Sequence, residues 1–293
     1  MGNDQIMKKI IFALSVLMLT SVTAGAASGK IVTDSLRSAV LDSQVKFNVY
    51  LPAGYADSGK SYPVVYLLHG LYGNYTDWMN RGGMKPIADE LITSGEAREM
   101  VIVMPNAGHA DAHNEWNGYF NMPGWSYEDF FFKEFIPAVE SRYRIIADKG
   151  HRAVMGLSMG GGGSTVYCQR HPDMFSSCYA MSAWLDNEPN AVAKNTNPND
   201  KLGIVCRSVC DHSTLKFMDN ASPEVLQDLK SVQWFFDCGD DDGLMLLSVN
   251  LHLKMKAAGI HSELRVRNGA HTWEYWHTAL RTALPFASRN FLP

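Results

Sequence analysis

Gly156-Leu157-Ser158-Met159-Gly160 decides how this chain is read. The five residues match G-x-S-x-G, the pattern of a nucleophile elbow. Arg152-Ala153-Val154-Met155, just before them, is short, apolar and strand-like, and the run from Gly161 through Cys168 to Arg170 reads as a helix opened by small residues. This is the strand–turn–helix setting that the motif requires. A serine hydroxyl becomes a useful nucleophile when a sharp turn pushes it out to where a base can reach it. Side chains at the two flanking glycines would collide with the adjoining strand and helix.

The elbow means something only if a base and an orienting acid follow it. Val232-Gln233-Trp234-Phe235-Phe236 is a strongly apolar run ending in Asp237-Cys238-Gly239-Asp240-Asp241-Asp242-Gly243. Acids at the C-terminal end of a parallel strand lie where open α/β sheets carry their chemistry. A helical stretch from Leu244 to Ala258 is closed by Gly259. The strand-like Ser262-Glu263-Leu264-Arg265-Val266-Arg267 then ends in Asn268-Gly269-Ala270-His271. The order Ser, Asp, His is that of the α/β-hydrolases.

The chain resembles the putative esterase family of α/β-hydrolases, which includes feruloyl and acetylxylan esterases, tributyrin-type esterases, S-formylglutathione hydrolases and mycolyltransferases. The resemblance runs from about Val45 to the C-terminus. It rests on Tyr62-Pro63-Val64-Val65-Tyr66-Leu67-Leu68-His69-Gly70, on Tyr127-Glu128-Asp129-Phe130 with Glu134-Phe135-Ile136-Pro137, and on the elbow. Asp237-Cys238-Gly239-x-x-Asp242 and Gly269-x-His271-x-Trp273-x-x-Trp276 complete it. It implies an α/β-hydrolase fold, a mostly parallel doubly wound sheet with helices on both faces. It implies Ser158 as nucleophile, His271 as base and Asp242 as acid, with backbone N–H groups of Leu71 and Met159 forming the oxyanion hole. No metal or organic cofactor is called for.

Lys8 and Lys9 precede an apolar run, Ile10 to Leu19, and Ala24-Gly25-Ala26 resembles a signal-peptidase site. The run is too short to span a bilayer, so residues 1–26 read as a secretory signal and the expected location is secreted or periplasmic. The first cysteine is Cys168, so no lipoprotein anchor, and no stable membrane anchor of any kind, is expected. Residues 27–293 are expected to form a single esterase domain. The net charge of −4 comes with no basic run, which argues against a nucleic-acid partner. The expected partner is a small-molecule or polysaccharide-linked ester; nothing in the sequence speaks to oligomeric state. The cysteines are odd in number: Cys168, Cys178, Cys206, Cys210 and Cys238. In an exported chain one or two disulfides fit, Cys206–Cys210 among the candidates; Cys168 and Cys238 equally suit small buried residues.

Val45 to Tyr50 alternates as an antiparallel edge strand does, while Pro63–Leu68 and Met100–Met104 are continuous apolar runs suited to buried parallel strands. Ser126 is placed to cap a helix running to about Tyr143. Leu185 to Ser231 is rich in Asn, Asp, Pro and Lys with weak periodicity, and reads as an insertion over the active-site mouth. His109-Ala110-Asp111-Ala112-His113 has metal-like spacing but reads as a polar loop near that rim. Trp116, Tyr119, Phe120, Trp125 and Trp184 are candidate substrate-stacking residues or parts of the core. Trp273 and Trp276 read as wedges between the last helix and the sheet. His69 reads as structural.

The export signal favours an external ester over a cytosolic S-formylglutathione hydrolase role. Within the resemblance this points to short or aromatic acyl groups on carbohydrate. The alternatives are an acyltransferase of the mycolyltransferase type and a general short-chain carboxylesterase.

Overall fold

The computed structural model describes residues 28–108, 118–187 and 200–293. Its centre is an eight-stranded sheet in the order β1-β2-β4-β3-β7-β8-β9-β10. The strands are β1 (Lys30–Ser38), β2 (Ser43–Leu51), β3 (Val64–Leu68), β4 (Val101–Pro105), β7 (Arg152–Leu157), β8 (Ser177–Met181), β9 (Gln233–Gly239) and β10 (Ser262–Arg267). A small separate hairpin supplies β5 (Asn121–Met122) and β6 (Trp125–Ser126). β2 runs antiparallel to both β1 and β4; every other pairing in the large sheet is parallel. β2 is therefore antiparallel, as its alternation indicates, but it is not the edge. β1 covers it, pairing along its whole length from Lys30↔Leu51 to Ser38↔Ser43.

The continuous apolar runs follow from burial on both faces. Val64, Tyr66 and Leu68 of β3 point into one hydrophobic cluster, and Val65 and Leu67 into the other. The first cluster is closed by Ile136 and Val139 of α2 (Ile136–Arg142), by Val166 and Tyr167 of α3 (Met159–Arg170) and by Leu251 and Met255 of α7 (Met245–Ala257). The second is closed by Ile87 and Leu91 of α1 (Met84–Thr93) and by Tyr275, Ala279 and Leu280 of α8 (Trp273–Asn290). Burying each Val, Leu or Ile side chain stabilises by about 1.5–3 kcal/mol. The helix expected after Ser126 starts there with Tyr127–Phe130, but Ser126 makes no capping hydrogen bond, and a π-helical turn, Phe131–Phe135, interrupts it before α2.

The described part of the 185–231 segment is helical. It forms α4 (Lys201–Asp211), α5 (Thr214–Asn220) and α6 (Pro223–Leu229), whose first turns are capped by Asp200, Ser213 and Ser222 side chains. α5 and α6 are short and bury few residues, so their period is faint in the sequence, whereas α4 buries Gly203, Val205, Cys206, Ser208 and Val209. α5 packs against α3 and α7. All five cysteines are free thiols. Cys206 and Cys210 lie four residues apart on α4, where Cβ atoms stand about 5–6 Å apart, beyond the roughly 3.8 Å a disulfide needs. Cys168 and Cys238 are fully buried.

The chain leaves β3 outward to β4 and returns to β7 on the other side of β3. The carboxyl ends of β3 and β7 thus flank a topological switch point, the place where open α/β sheets bind ligands. His69-Gly70-Leu71 follows β3, and Ser158 follows β7.

Candidate active site

Ser158 has φ 53° and ψ −116°, a left-handed backbone that a non-glycine residue adopts at a cost of about 1–3 kcal/mol. Three main-chain hydrogen bonds hold it there. Its N–H donates to the Met181 carbonyl at 2.8 Å, and its own carbonyl accepts from Gly162 and Trp184, both at 3.0 Å. The elbow glycines allow close approach of strand, helix and loop. A Cβ on Gly156 would stand 2.5 Å from the Gly160 carbonyl oxygen, and a Cβ on Gly160 would stand 2.5 Å from that of His69.

Asp242 and His271 come from the loops after β9 and β10. The parallel pairing of those strands brings the loops together: Asp241 N–H donates to the Gly269 carbonyl at 3.0 Å, and Gly269 N–H donates to Asp240 Oδ1 at 3.0 Å. Asp242 Oδ2 lies 2.8 Å from His271 Nδ1, and His271 Nε2 lies 2.9 Å from Ser158 Oγ. A carboxylate on one side of the imidazole assigns the ring proton to Nδ1 and leaves the Nε2 lone pair facing the serine. The Trp276 ring packs edge-on against His271, with centroids 4.8 Å apart. Asp242 is buried, which by itself would raise its pKa. Hydrogen bonds from His271, the Leu244 N–H and Ser182 prevail and hold it below the usual carboxylate range.

Protonation of Asp242 couples to folding. A depressed folded-state pKa contributes stability that is complete above the unfolded value of about 3.9 and is lost as pH falls through the folded value. Asp242→Asn removes that contribution. Its Tm should therefore fall less steeply than that of the wild type as pH drops from about 5 to 3, as read by calorimetry; an equally steep fall would contradict the assignment.

Gly70 and Leu71 border the same cavity as Ser158, and a Cβ on Gly70 would stand 3.5 Å from Ser158 Cβ. Met159 follows the serine directly and opens α3. His69 braces this turn. Its Nδ1 donates to the Gly70 carbonyl at 2.8 Å, its Nε2 accepts from Ala107 N–H at 3.1 Å, and its carbonyl accepts the Tyr119 hydroxyl at 2.8 Å. With both ring nitrogens engaged and the side chain buried, His69 is structural.

The cavity at Ser158 measures about 770 Å³ and is bordered by Leu71, Tyr72, Arg81, Trp184 and Trp273, among others. Trp184 sits in this wall. Trp125 does not: it is buried in the core, its indole N–H donating to the Ala107 carbonyl at 3.0 Å. A large apolar ring with a single donor is satisfied there by one carbonyl, which the sequence alone does not show. Trp116 and the His109–His113 stretch lie outside the described residues. Among the described residues no three His, Cys, Asp or Glu side chains group as a metal site would. None of the described residues of α4, α5 and α6 is among those that line this cavity. Three wall residues were not anticipated. Trp273 lines the cavity rather than only wedging α8, Arg81 lies 5.0 Å over the Trp273 ring, and Tyr72 holds φ 64° at the rim. Only the Gly269-x-His271-x-Trp273 spacing carried a signal, for Trp273.

The fold, with Ser, His and Asp side chains meeting at its switch point, defines an α/β-hydrolase. A family model described as "Putative esterase" matches residues 38–287, and the chain belongs to that family. A solved ferulic acid esterase is 49% identical, with a TM-score of 0.84 over 90% of this chain and 99% of the other. The endo-1,4-beta-xylanase/feruloyl esterase of Xylanibacter ruminicola is 29% identical over 239 residues, 80% of this chain. The match spans only 28% of that longer relative. The fluorophosphonate-binding serine hydrolase F of Staphylococcus aureus shares the fold at 21% identity and a TM-score of 0.73, covering 89% of this chain and 99% of the other.

Proposed function

We propose that this chain is an exported serine carboxylic-ester hydrolase for carbohydrate-linked esters of short or aromatic acids, feruloyl and acetyl groups among them. One observation carries the chemistry: the continuous line from Asp242 through His271 to Ser158, with contacts of 2.8 and 2.9 Å. As Ser158 Oγ bonds to the ester carbonyl carbon, its proton passes to His271 Nε2. Asp242 holds the imidazole in the tautomer that can receive it and then stabilises the imidazolium. The carbonyl oxygen, now negative, takes hydrogen bonds from the Leu71 and Met159 N–H groups, each worth about 3–4 kcal/mol of barrier. The C–O bond to the alcohol breaks, and Nε2–H protonates the leaving oxygen. Water then attacks the acyl-enzyme, again losing its proton to Nε2; the acid departs and Ser158 regains its hydrogen.

The aromatic wall at Trp184 and Trp273 supports an aryl acyl or sugar substrate, as do the ferulic acid esterase relatives. Export rests on the Lys8 to Ala26 pattern. The test is an ester panel. kcat/KM should fall from nitrophenyl acetate or butyrate toward octanoate and palmitate, and methyl ferulate and acetylated xylan should be turned over. A steady rise with chain length would refute the substrate class, because each further methylene buried adds about 0.8 kcal/mol only where an apolar acyl tunnel exists. Trp184→Ala should raise KM for methyl ferulate by about 2- to 12-fold, the equivalent of a lost aromatic pair, and leave kcat on the acetate ester within twofold. An unchanged KM would remove Trp184 from the substrate wall.

A further inference from the structure

Asp237 stands five residues before Asp242, at the same strand end, yet its carboxylate is turned away from the cavity into the second hydrophobic cluster and is fully buried. There it accepts four hydrogen bonds. The Tyr179 hydroxyl donates to Oδ2 and the Tyr275 hydroxyl to Oδ1, both at 2.6 Å. Arg265 donates through Nε to Oδ1 at 3.1 Å and through its terminal nitrogen to Oδ2. Arg265 also reaches the Thr282 hydroxyl on α8 at 2.6 Å. A buried charge needs such partners, since an unpaired one is costly. Their positions are the informative part. Arg265 lies on β10, six residues before His271, and Tyr275 lies four residues after it.

The Tyr275 ring is also what the histidine loop wraps. Arg267 stacks 3.5 Å over it and donates to the Tyr275 carbonyl at 2.7 Å. A Cβ on Gly269 would stand 2.5 Å from the Tyr275 ring edge. Loop 268–272 therefore rests on Tyr275, and Tyr275 is pinned to β9, the strand that leads into the Asp242 loop. We propose that Asp237 is a positioning residue: through Tyr275 and Arg265 it fixes the His271 loop against the Asp242 loop, so that the imidazole meets both the acid and Ser158. This rests on the roles given above to Ser158, His271 and Asp242. Neither Asp237 nor Tyr275 borders the cavity. Tyr179 ties the same carboxylate to β8 and hydrogen-bonds to neither loop; its hydroxyl also accepts from an Arg265 terminal nitrogen, but at 3.4 Å, so its part in the positioning is the smaller one.

That difference makes the test. Tyr275→Phe and Tyr179→Phe each delete one hydroxyl that donates to the same carboxylate at the same distance. Both should lower Tm by a few degrees. Only Tyr275→Phe should lower kcat, by about tenfold on nitrophenyl acetate with KM within twofold, because small misplacements of reacting groups cost rate rather than binding. Its rate of inactivation by a fluorophosphonate should fall in parallel, and Tyr179→Phe should stay within twofold of the wild type in both assays. Asp237→Asn, if it folds, should lose more kcat than Tyr275→Phe. The inference is overturned if Tyr275→Phe retains wild-type kcat, or if Tyr179→Phe loses as much. Ser158→Ala is run alongside: if it stays active, the triad reading and this inference fall together, and if it is inactive while Tyr275→Phe is normal, only this inference falls.

Discussion

Ser158→Ala should lower kcat by about 10⁴-fold or more on any ester the protein hydrolyses. The substitution removes one oxygen, and with it the only atom that can carry the acyl group at the elbow. The remaining site would still gather the ester beneath Leu71 and Met159. A residual rate above that in water is therefore expected, of the size an oxyanion hole and binding alone provide. Folding should be nearly unaffected. The hydrogen bonds that hold the strained turn all come from the main chain, and Ser158 Oγ meets only His271. The measurements are kcat on nitrophenyl acetate, Tm, and mass mapping of a fluorophosphonate adduct. Label on Ser158 in the wild type and none in the mutant is the expected result. Label on another serine, with activity kept in the mutant, would sink the assignment.

Asp242→Asn should cost about 10³- to 10⁴-fold in kcat, close to the loss from His271→Ala. An amide at this position can donate to Nδ1, which favours the tautomer with its proton on Nε2, and such a ring cannot accept from Ser158. Neighbouring acids provide the controls. Asp240 and Asp241 are exposed, and their loop is tied down by the Asp240 N–H to the Arg267 carbonyl, by the Asp241 N–H to the Gly269 carbonyl, and by one Asp240 oxygen, accepting from the Gly269 N–H, that an Asn amide oxygen can replace. Asp240→Asn and Asp241→Asn should therefore keep kcat within about tenfold, since a replaced exposed polar contact is worth no more than roughly 1 kcal/mol. If either one proves as damaging as His271→Ala, the register of the acid loop has been misread.

The spacing of local signals made much of this molecule legible before any fold was known. The elbow glycines, the apolar runs of β3, β4, β7 and β9 and the acid and histidine just beyond strand ends all depend on neighbours in sequence, because turn conformation and strand burial are set within a few residues. Other elements were hidden for the same reason. β1 is only partly buried, with one fully buried residue, Ser38, and so carries neither a continuous apolar run nor a clear alternation. α5 and α6, at seven residues each, are too short to show a period.

By itself, then, the sequence determined the order of nucleophile, acid and base, the continuous apolar runs that bury both sheet faces, and the α/β class. Tertiary structure alone decided what faces what across distant segments. It sent Trp125 into the core and Trp273 with Arg81 into the cavity wall. It also separated Asp237 from Asp242. Only five residues apart, the carboxylate inside β9 meets Arg265 and two tyrosines in the core, and the one in the loop beyond β9 meets His271. Position in the chain puts one carboxylate on the strand and the other in the loop after it, but what surrounds each is brought there by segments from elsewhere in the chain.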